Sequence, residues 1–450
     1  MMNTIRRHMR WIALGMIILG LGCARSQAPK SGISHSSVES LKPYVLLISI
    51  DAYRYDYTDR FNPPNLRRFR DEGSWAQAMQ SVYPSKTFPN HYSIITGLYP
   101  SHHGIVDNKF YDRKRREVYS IGNREMVEDG SWYGGFPIWV VCERNRITTA
   151  SFFWVGSEAD IQGIMPTYYY NYDSKITYDQ RVDQVVQWFR LPESQRPRFV
   201  TLYFAEVDAI GHKYGTDSPE LAATIAELDQ SLGRLFRELE QIDLPINIIV
   251  VSDHGMQDVD LEDITYIDDY INTDSCQVFT GSTQAGIYLR PYQSPDSVLN
   301  LLNTNRRHFK AYRQDKAPRH WHLDESPRLP DIIVDMESPY IIAERRKEKS
   351  SNSDYSKAMH GYDPEYCQAM DGIFYAQGPH IKSGKILPKF QNIHVYPFIL
   401  KLMGLESPMP VDGSEKVLKP LLLPGAQTKQ ADASDAPACN NPACGSKICK

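Results

Sequence analysis

The chain has 450 residues, 42% of them hydrophobic and 23% charged, with 29 Pro and 27 Gly. That length fits one large domain with insertions or two domains, and the ordinary apolar fraction excludes a disordered or fibrous chain. Lys and Arg total 50 against 54 Asp and Glu, a net charge of -4, which argues against a protein that neutralises the phosphates of a nucleic-acid duplex. Seven Cys are too few and too scattered for a disulfide scaffold.

In chain order, a basic start (Arg6, Arg7, Arg10) is followed by the uncharged, largely apolar run Trp11–Gly22 and then Cys23. At a rise of about 1.5 Å per residue this run falls short of a ~30 Å hydrocarbon core, so residues 1–22 read as an export signal. Gly22 before Cys23 resembles a bacterial lipoprotein cleavage site, although Gly20 stands where such sites usually carry Leu. Two outcomes fit: a lipidated Cys23 that anchors the chain to a membrane, or ordinary cleavage beside an incidental Cys. Either places the protein in the bacterial periplasm or cell envelope. Residues 23–40 read as a Ser-rich linker, 41–424 as the catalytic domain, and 425–450 as a disordered tail rich in Ala, Asp, Asn and Pro. In that tail Cys439, Cys444 and Cys449 recur every five residues, a spacing that suits loose thiols better than a metal site.

Within the domain, Tyr44–Ile50, Phe199–Phe204 and Ile246–Val251 are short, near-continuous apolar runs. Between the last two, Pro219–Gln241 carries Leu221, Ile225, Leu228, Leu232, Leu235 and Leu239 at helical spacing. Strand, helix, strand with apolar strands predicts an α/β fold: a central, mostly parallel sheet with helices on both faces. Ligands bind such sheets at the carboxyl ends of the strands, and each run delivers an Asp there: Asp51, Asp208 and Asp253. One strand-end Asp alone reads as a helix N-cap. Three close carboxylates repel unless a cation sits among them. Asp208 and His212 are spaced to share one face of a turn, Asp253 and His254 are adjacent, and His360 follows the polar stretch Arg345–Lys357, which reads as a surface loop. Asp and His without Cys suit Zn²⁺, with other divalent ions possible. The remaining histidines considered (His91, His102, His103, His320, His322, His394) read as hydrogen-bonding surface or core residues.

Tyr83-Pro-Ser-Lys-Thr-Phe-Pro-Asn-His-Tyr92 leads into Ser93-Ile-Ile-Thr-Gly97, a loop feeding a short helix that ends at Gly97. Thr87 near that helix start reads, taken alone, as an N-cap; as a nucleophile it needs a base or a metal to take its proton. Gln257–Ser356 carries no readable motif and is expected to hold an inserted, cap-like region, with Ile332–Val334 as one of its strands.

Taken together, Ile50-Asp51, Tyr83–Tyr92, Gly104-Ile-Val-Asp-Asn108, Val207–His212, Val251-Ser-Asp-His-Gly-Met256, His360-Gly-Tyr-Asp363, Ile373–Pro379 and His394-Val-Tyr-Pro397 resemble the nucleotide pyrophosphatase/phosphodiesterase family of the alkaline phosphatase superfamily. The resemblance spans about residues 43–420. It implies an alkaline-phosphatase-like fold and two Zn²⁺ per chain, one on Asp208, His212 and His360, the other on Asp51, Asp253, His254 and Thr87. It also implies a phosphothreonine intermediate on Thr87, with Asn108 and the Thr87 N–H near a transferred phosphoryl oxygen. A small phosphodiester, a nucleotide first among them, would be the substrate, with Phe88 and Tyr172 as the walls of a base slot. Relatives with the same ligands cleave lysophospholipids or choline phosphodiesters, and a phosphomonoesterase of the superfamily is a further alternative. Ser85-Lys-Thr-Phe-Pro89 lacks the C/S-x-P-x-R signature of sulfatases. A catalytically dead surface binding protein would be expected to have lost a ligand, and here all six and the Thr are present.

Overall fold

Tyr44–Ile50 is apolar at all but one position and buried throughout, the signature of a strand covered on both faces. In the computed structural model the described residues are 42–345 and 355–424. The expected signal, Cys23, the linker, most of the 345–357 loop and the tail with its three Cys lie outside them.

Eight strands form the main sheet: β1 (Tyr44–Ile50), β2 (Ser74–Ala76), β3 (Thr149–Phe152), β4 (Tyr168–Tyr170), β5 (Phe199–Phe204), β6 (Ile246–Val251), β7 (Phe374–Gln377) and β8 (Ile386–Leu387). Their order across the sheet is β8-β2-β7-β6-β1-β5-β3-β4. The run from β6 to β4 is parallel, while β7 lies antiparallel to both β6 and β2. Alternate residues of β1 feed opposite cores. Val45 and Leu47 pack with Ile94 and Ile95, Trp139 and Val140, and Phe398 and Ile399. These belong to helices α2 (Thr87–Thr96), α3 (Ile138–Arg144) and α7 (Val395–Leu402). Leu46, Ile48 and Ile50 pack with α1 (Pro64–Glu72), α4 (Tyr178–Arg190) and α6 (Pro219–Glu240), whose expected leucine stripe is buried. Ser218 caps α6 by accepting the Leu221 N–H. Helix α5 (Glu206–Tyr214) follows β5 after a single residue.

The stretch without motifs is an inserted cap. Its four-stranded antiparallel sheet runs Gln277–Thr280, Gln284–Tyr288, Ile332–Met336, Phe309–Arg313 across, with its own apolar core and the helix Pro295–Asn303. Ile332–Val334 lies inside the third of these strands, as expected. No helix among the described residues is long and apolar enough to cross a membrane.

Candidate metal centre and nucleophile

The register of three strands builds the site. β1 is central, with Ile50 opposite Phe204 of β5 and Ser49 opposite Val251 of β6. Their carboxyl ends therefore stop together, and the residues just beyond them meet: Asp51 one step past β1, Asp253 two past β6, Asp208 in the first turn of α5. The chain turns sharply after Asp51, with Ala52 at φ +55°, where a side chain is disfavoured. The Ala52 N–H donates to Asp253 Oδ1 at 3.2 Å, tying two of the strand ends together. Gly211 lets α5 approach the site closely, since a Cβ there would overlap Met256 Sδ.

Three carboxylate oxygens at this edge are buried without a hydrogen-bond partner: Asp51 Oδ1, Asp208 Oδ1 and Asp253 Oδ2. Leaving such atoms unsatisfied is costly, and each one faces the histidines. His212 Nε2 and His360 Nε2 lie 3.3 and 3.5 Å from Asp208 Oδ1, and His254 Nε2 lies 3.0 Å from Asp253 Oδ2 and 3.6 Å from Asp51 Oδ1. All three rings are held by Nδ1 against a backbone carbonyl: His254 on Gly255 at 2.9 Å, His212 on Ala358 at 2.7 Å and His360 on Ser85 at 2.9 Å. A carbonyl only accepts, so Nδ1 carries the hydrogen and Nε2 is the atom turned toward the carboxylates, the one that a metal would take.

The electrostatics agree. Burial, then the neighbouring Asp253 and Asp208, push the Asp51 carboxyl well above its ordinary range. Burial would also raise Asp253, but the His254 and His91 imidazoles outweigh it and hold that carboxyl well below. Burial and the adjacent His254 drive His360 well down. A carboxylate forced up by burial and by its like-charged neighbours is what a bound cation relieves. The donor set therefore fits divalent cations. Two groups of three have ligand atoms within 4.8 Å of one another: Asp208 with His254 and His360, and Asp51 with Asp253 and His254. His254 thus lies between the two expected sets, and His212 joins the first through Asp208.

Thr87 is the first residue of α2, not its cap; Lys86 occupies that position, and the helix starts six residues before Ser93. Proline is tolerated in a first turn, so Pro89 does not delay the start. The Thr87 hydroxyl stands 3.4 Å from His254 Nε2. Asn108 Oδ1 accepts the Phe88 N–H at 3.0 Å, which turns its amino group away from the helix backbone. Phe88 and Tyr172 line one cavity of about 330 Å³ together with Asp51, Thr87, Trp154 and Asp208. On the far side, a second cavity of about 310 Å³ lies between Asn108, His212 and His360 and the cap residues Phe279–Ser282. A nearby arginine escaped the sequence reading: Arg124 lines the first cavity, but it is paired with Glu158 and Glu128. Glu158 also accepts the Tyr172 N–H at 2.9 Å, fixing that wall. His91 is a hydrogen-bonding core residue, as expected, but its partners belong to the site. It is wholly buried against Asp253 and the Thr87 carbonyl, and a helix read from Thr87 would have placed it one turn on from that threonine.

An α/β sheet whose central strand ends gather three carboxylates and three histidines beside a helix-borne threonine defines a member of the alkaline phosphatase superfamily. The sequence model of the type I phosphodiesterase / nucleotide pyrophosphatase family matches residues 45–363. Among relatives, a venom phosphodiesterase of Naja atra is 33% identical over 392 residues, covering 84% of this chain and 46% of its own length. Human ectonucleotide pyrophosphatase/phosphodiesterase family member 1 is 33% identical over 395 residues, covering 84% and 42%. The chain thus spans less than half the length of these curated relatives. Among solved structures, human ectonucleotide pyrophosphatase/phosphodiesterase 5 superposes with a TM-score of 0.79 at 27% identity, covering 84% of this chain and 99% of that one. An inactive threonine-to-alanine form of the murine protein, in complex with AMP, does so with 0.79 at 26%, covering 85% and 100%. The chain belongs to the nucleotide pyrophosphatase/phosphodiesterase family.

Proposed function

We propose that the chain is an exported two-metal hydrolase that cleaves nucleotide phosphodiester or pyrophosphate bonds through a phosphothreonine on Thr87. The observation that carries this reading is the set of three carboxylate oxygens without hydrogen-bond partners and three histidines whose Nε2 atoms face them, next to the Thr87 hydroxyl. Asp208, His212 and His360 would hold one Zn²⁺, and Asp51, Asp253, His254 and Thr87 the other. Bound there, two divalent cations supply the charge that makes a threonine hydroxyl nucleophilic at neutral pH and that neutralises the leaving oxygen.

This chain's own residues do the rest. Thr87 Oγ1 attacks phosphorus in line, and the bond from phosphorus to the leaving alcohol or phosphate oxygen breaks as the new one forms. Water then cleaves the phosphothreonine, releasing a phosphomonoester and restoring the hydroxyl. Asn108 offers its amino group to a non-bridging oxygen, and the N–H of Thr87, which makes no hydrogen bond among the described residues, can serve the same oxygen. Lys86, next to the nucleophile in the chain, and Arg124, in the same cavity, are each already paired with carboxylates. A monoanionic diester suits such a site better than a dianionic monoester. Phe88 and Tyr172 in one cavity support a planar base as the bound group. The apolar N-terminal run and Cys23 support export, with lipid attachment as the means of anchoring.

Thr87→Ala is expected to lower turnover of bis-p-nitrophenyl phosphate by about a thousandfold or more, with zinc still bound. The unaltered enzyme should prefer this diester to the monoester. Substantial turnover by Thr87→Ala would remove Thr87 as nucleophile, faster turnover of the monoester would make the chain a phosphomonoesterase, and faster turnover of a lysophospholipid than of a nucleotide diester would overturn the nucleotide reading.

A further inference from the structure

One turn after the nucleophile, His91 makes contacts that ordinary core packing does not require. Its Nε2 lies 2.8 Å from Ser49 Oγ on β1. Its Nδ1 lies 3.0 Å from the carbonyl oxygen of Thr87 and 3.2 Å from Asp253 Oδ2. Neither of those oxygens can donate, so Nδ1 carries the hydrogen, and Nε2 accepts from the Ser49 hydroxyl. The rings of Trp154 and Tyr203 stand edge-on to the imidazole at 5.2 and 5.1 Å, and Trp154 Nε1 donates to the His91 carbonyl at 3.2 Å. The ring can therefore neither flip nor swing without losing a bond. Asp253 Oδ2, which it faces, is the oxygen that also lies against His254 and lacks a hydrogen-bond partner.

We infer that His91 is a positioning residue: its Nδ1–H, held from behind by Ser49, bonds the Thr87 carbonyl and faces the Asp253 carboxylate at 3.2 Å, so that the first turn of the nucleophile's helix is coupled to that ligand by a charge–dipole contact. The distance between Thr87 Oγ1 and the ligands beside it is thereby set by one buried ring rather than by the loop at Ser85–Lys86. Fully buried, His91 touches no substrate. The inference rests on the two-cation reading above and adds to it the residue that joins nucleophile and ligand.

Two substitutions separate donor from volume. Asn at 91 places an amide N–H where Nδ1 stands, whereas Gln, nearer in size to His, reaches toward the Nε2 position. The readouts are kcat and KM on a nucleotide diester, Zn²⁺ retained after dialysis against a weak chelator, and Tm. His91→Asn is expected to keep kcat within about tenfold and to retain zinc, while His91→Gln loses about 10–100-fold in kcat or zinc affinity at nearly unchanged KM. Gln performing as well as Asn, or losses in both that simply follow Tm, would overturn the inference. If both variants fail to fold, Ser49→Ala frees the back of the ring: a lowered kcat with unchanged KM is expected, and wild-type kcat and zinc retention would sink the idea. Zinc retention is read without turnover, so a chain inactive on every diester would refute the proposed function and still leave the role of His91 decided.

Discussion

Asn108 illustrates how one side chain can be polarised by its backbone neighbours. The Phe88 N–H, a donor only, claims its carbonyl oxygen, so the amino group is the end left for a ligand. Its own N–H bonds Asp107 Oδ1 at 2.6 Å, and Asp107 takes the Lys86 ammonium at 3.1 Å, so the donor beside Thr87 stands on a neutralised pair. Removing one such donor costs about 10²–10³ in rate. Asn108→Ala should therefore lower kcat/KM by that factor on a nucleotide diester while leaving Tm nearly unchanged. Asn108→Asp keeps the acceptor for Phe88 but turns a negative charge toward the phosphate, so it should lose more, with KM rising as well. Equal kcat/KM values for the Ala variant and the wild-type enzyme would remove Asn108 from the site.

At the scale of elements, the site was legible where chemistry follows directly from a strand end. Asp51, Asp208 and Asp253 close apolar runs that could only be buried strands, and the parallel register of β1 with β5 and β6 brings them together. The first turn of α2 was harder to read, because Thr87-Phe-Pro has no apolar period and a proline usually signals a loop. The contacts of His91 were hidden with it. The cap was legible only as an insertion with one strand, Ile332–Val334, for a different reason: its strands are four or five residues long and antiparallel, too short to show a period, and they are held to the body by individual side chains. Arg328 is the clearest of these. Its Nε donates to the buried Asp112 at 2.9 Å, Nη1 to the carbonyls of Gly104 and Trp132 at 2.8 and 2.6 Å, and its guanidinium lies 5.1 Å over the Trp132 ring. Arg328→Ala leaves Asp112 with only the Lys114 and Arg115 N–H groups and takes the donor from two carbonyls, a loss of about 1–3 kcal/mol. Denaturant unfolding should show it. Arg328→Lys should rescue little, because one ammonium cannot reproduce the fork. A variant as stable as the wild type would mean that the cap is held elsewhere.

Across the whole molecule, the slight excess of acid is consistent with a site whose positive charge would come from bound cations rather than from a basic surface. The outer seam between cap and body shows a second use of carboxylates. His102, from the body, places Nδ1 2.7 Å from Asp412 near the carboxyl end and Nε2 2.5 Å from Asp324 of the cap, with His322 stacked on the adjacent Tyr99 at 3.9 Å. Partial burial would lower the His102 pKa, but the Asp412 and Asp324 carboxylates outweigh it and raise it, while His322 is lowered by burial. A histidine whose folded pKa exceeds its unfolded one stabilises the fold fully below about pH 6.5, and that contribution fades as pH rises through the folded value. Asp324 is largely exposed, so solvent screens the pair and the effect stays under about 1 kcal/mol. His102→Gln should therefore lower Tm more at pH 6 than at pH 9, and the pH 6 difference should shrink in high salt. A Tm difference that is flat across this range would show that the seam is held by hydrogen bonds of the neutral ring and not by its charge.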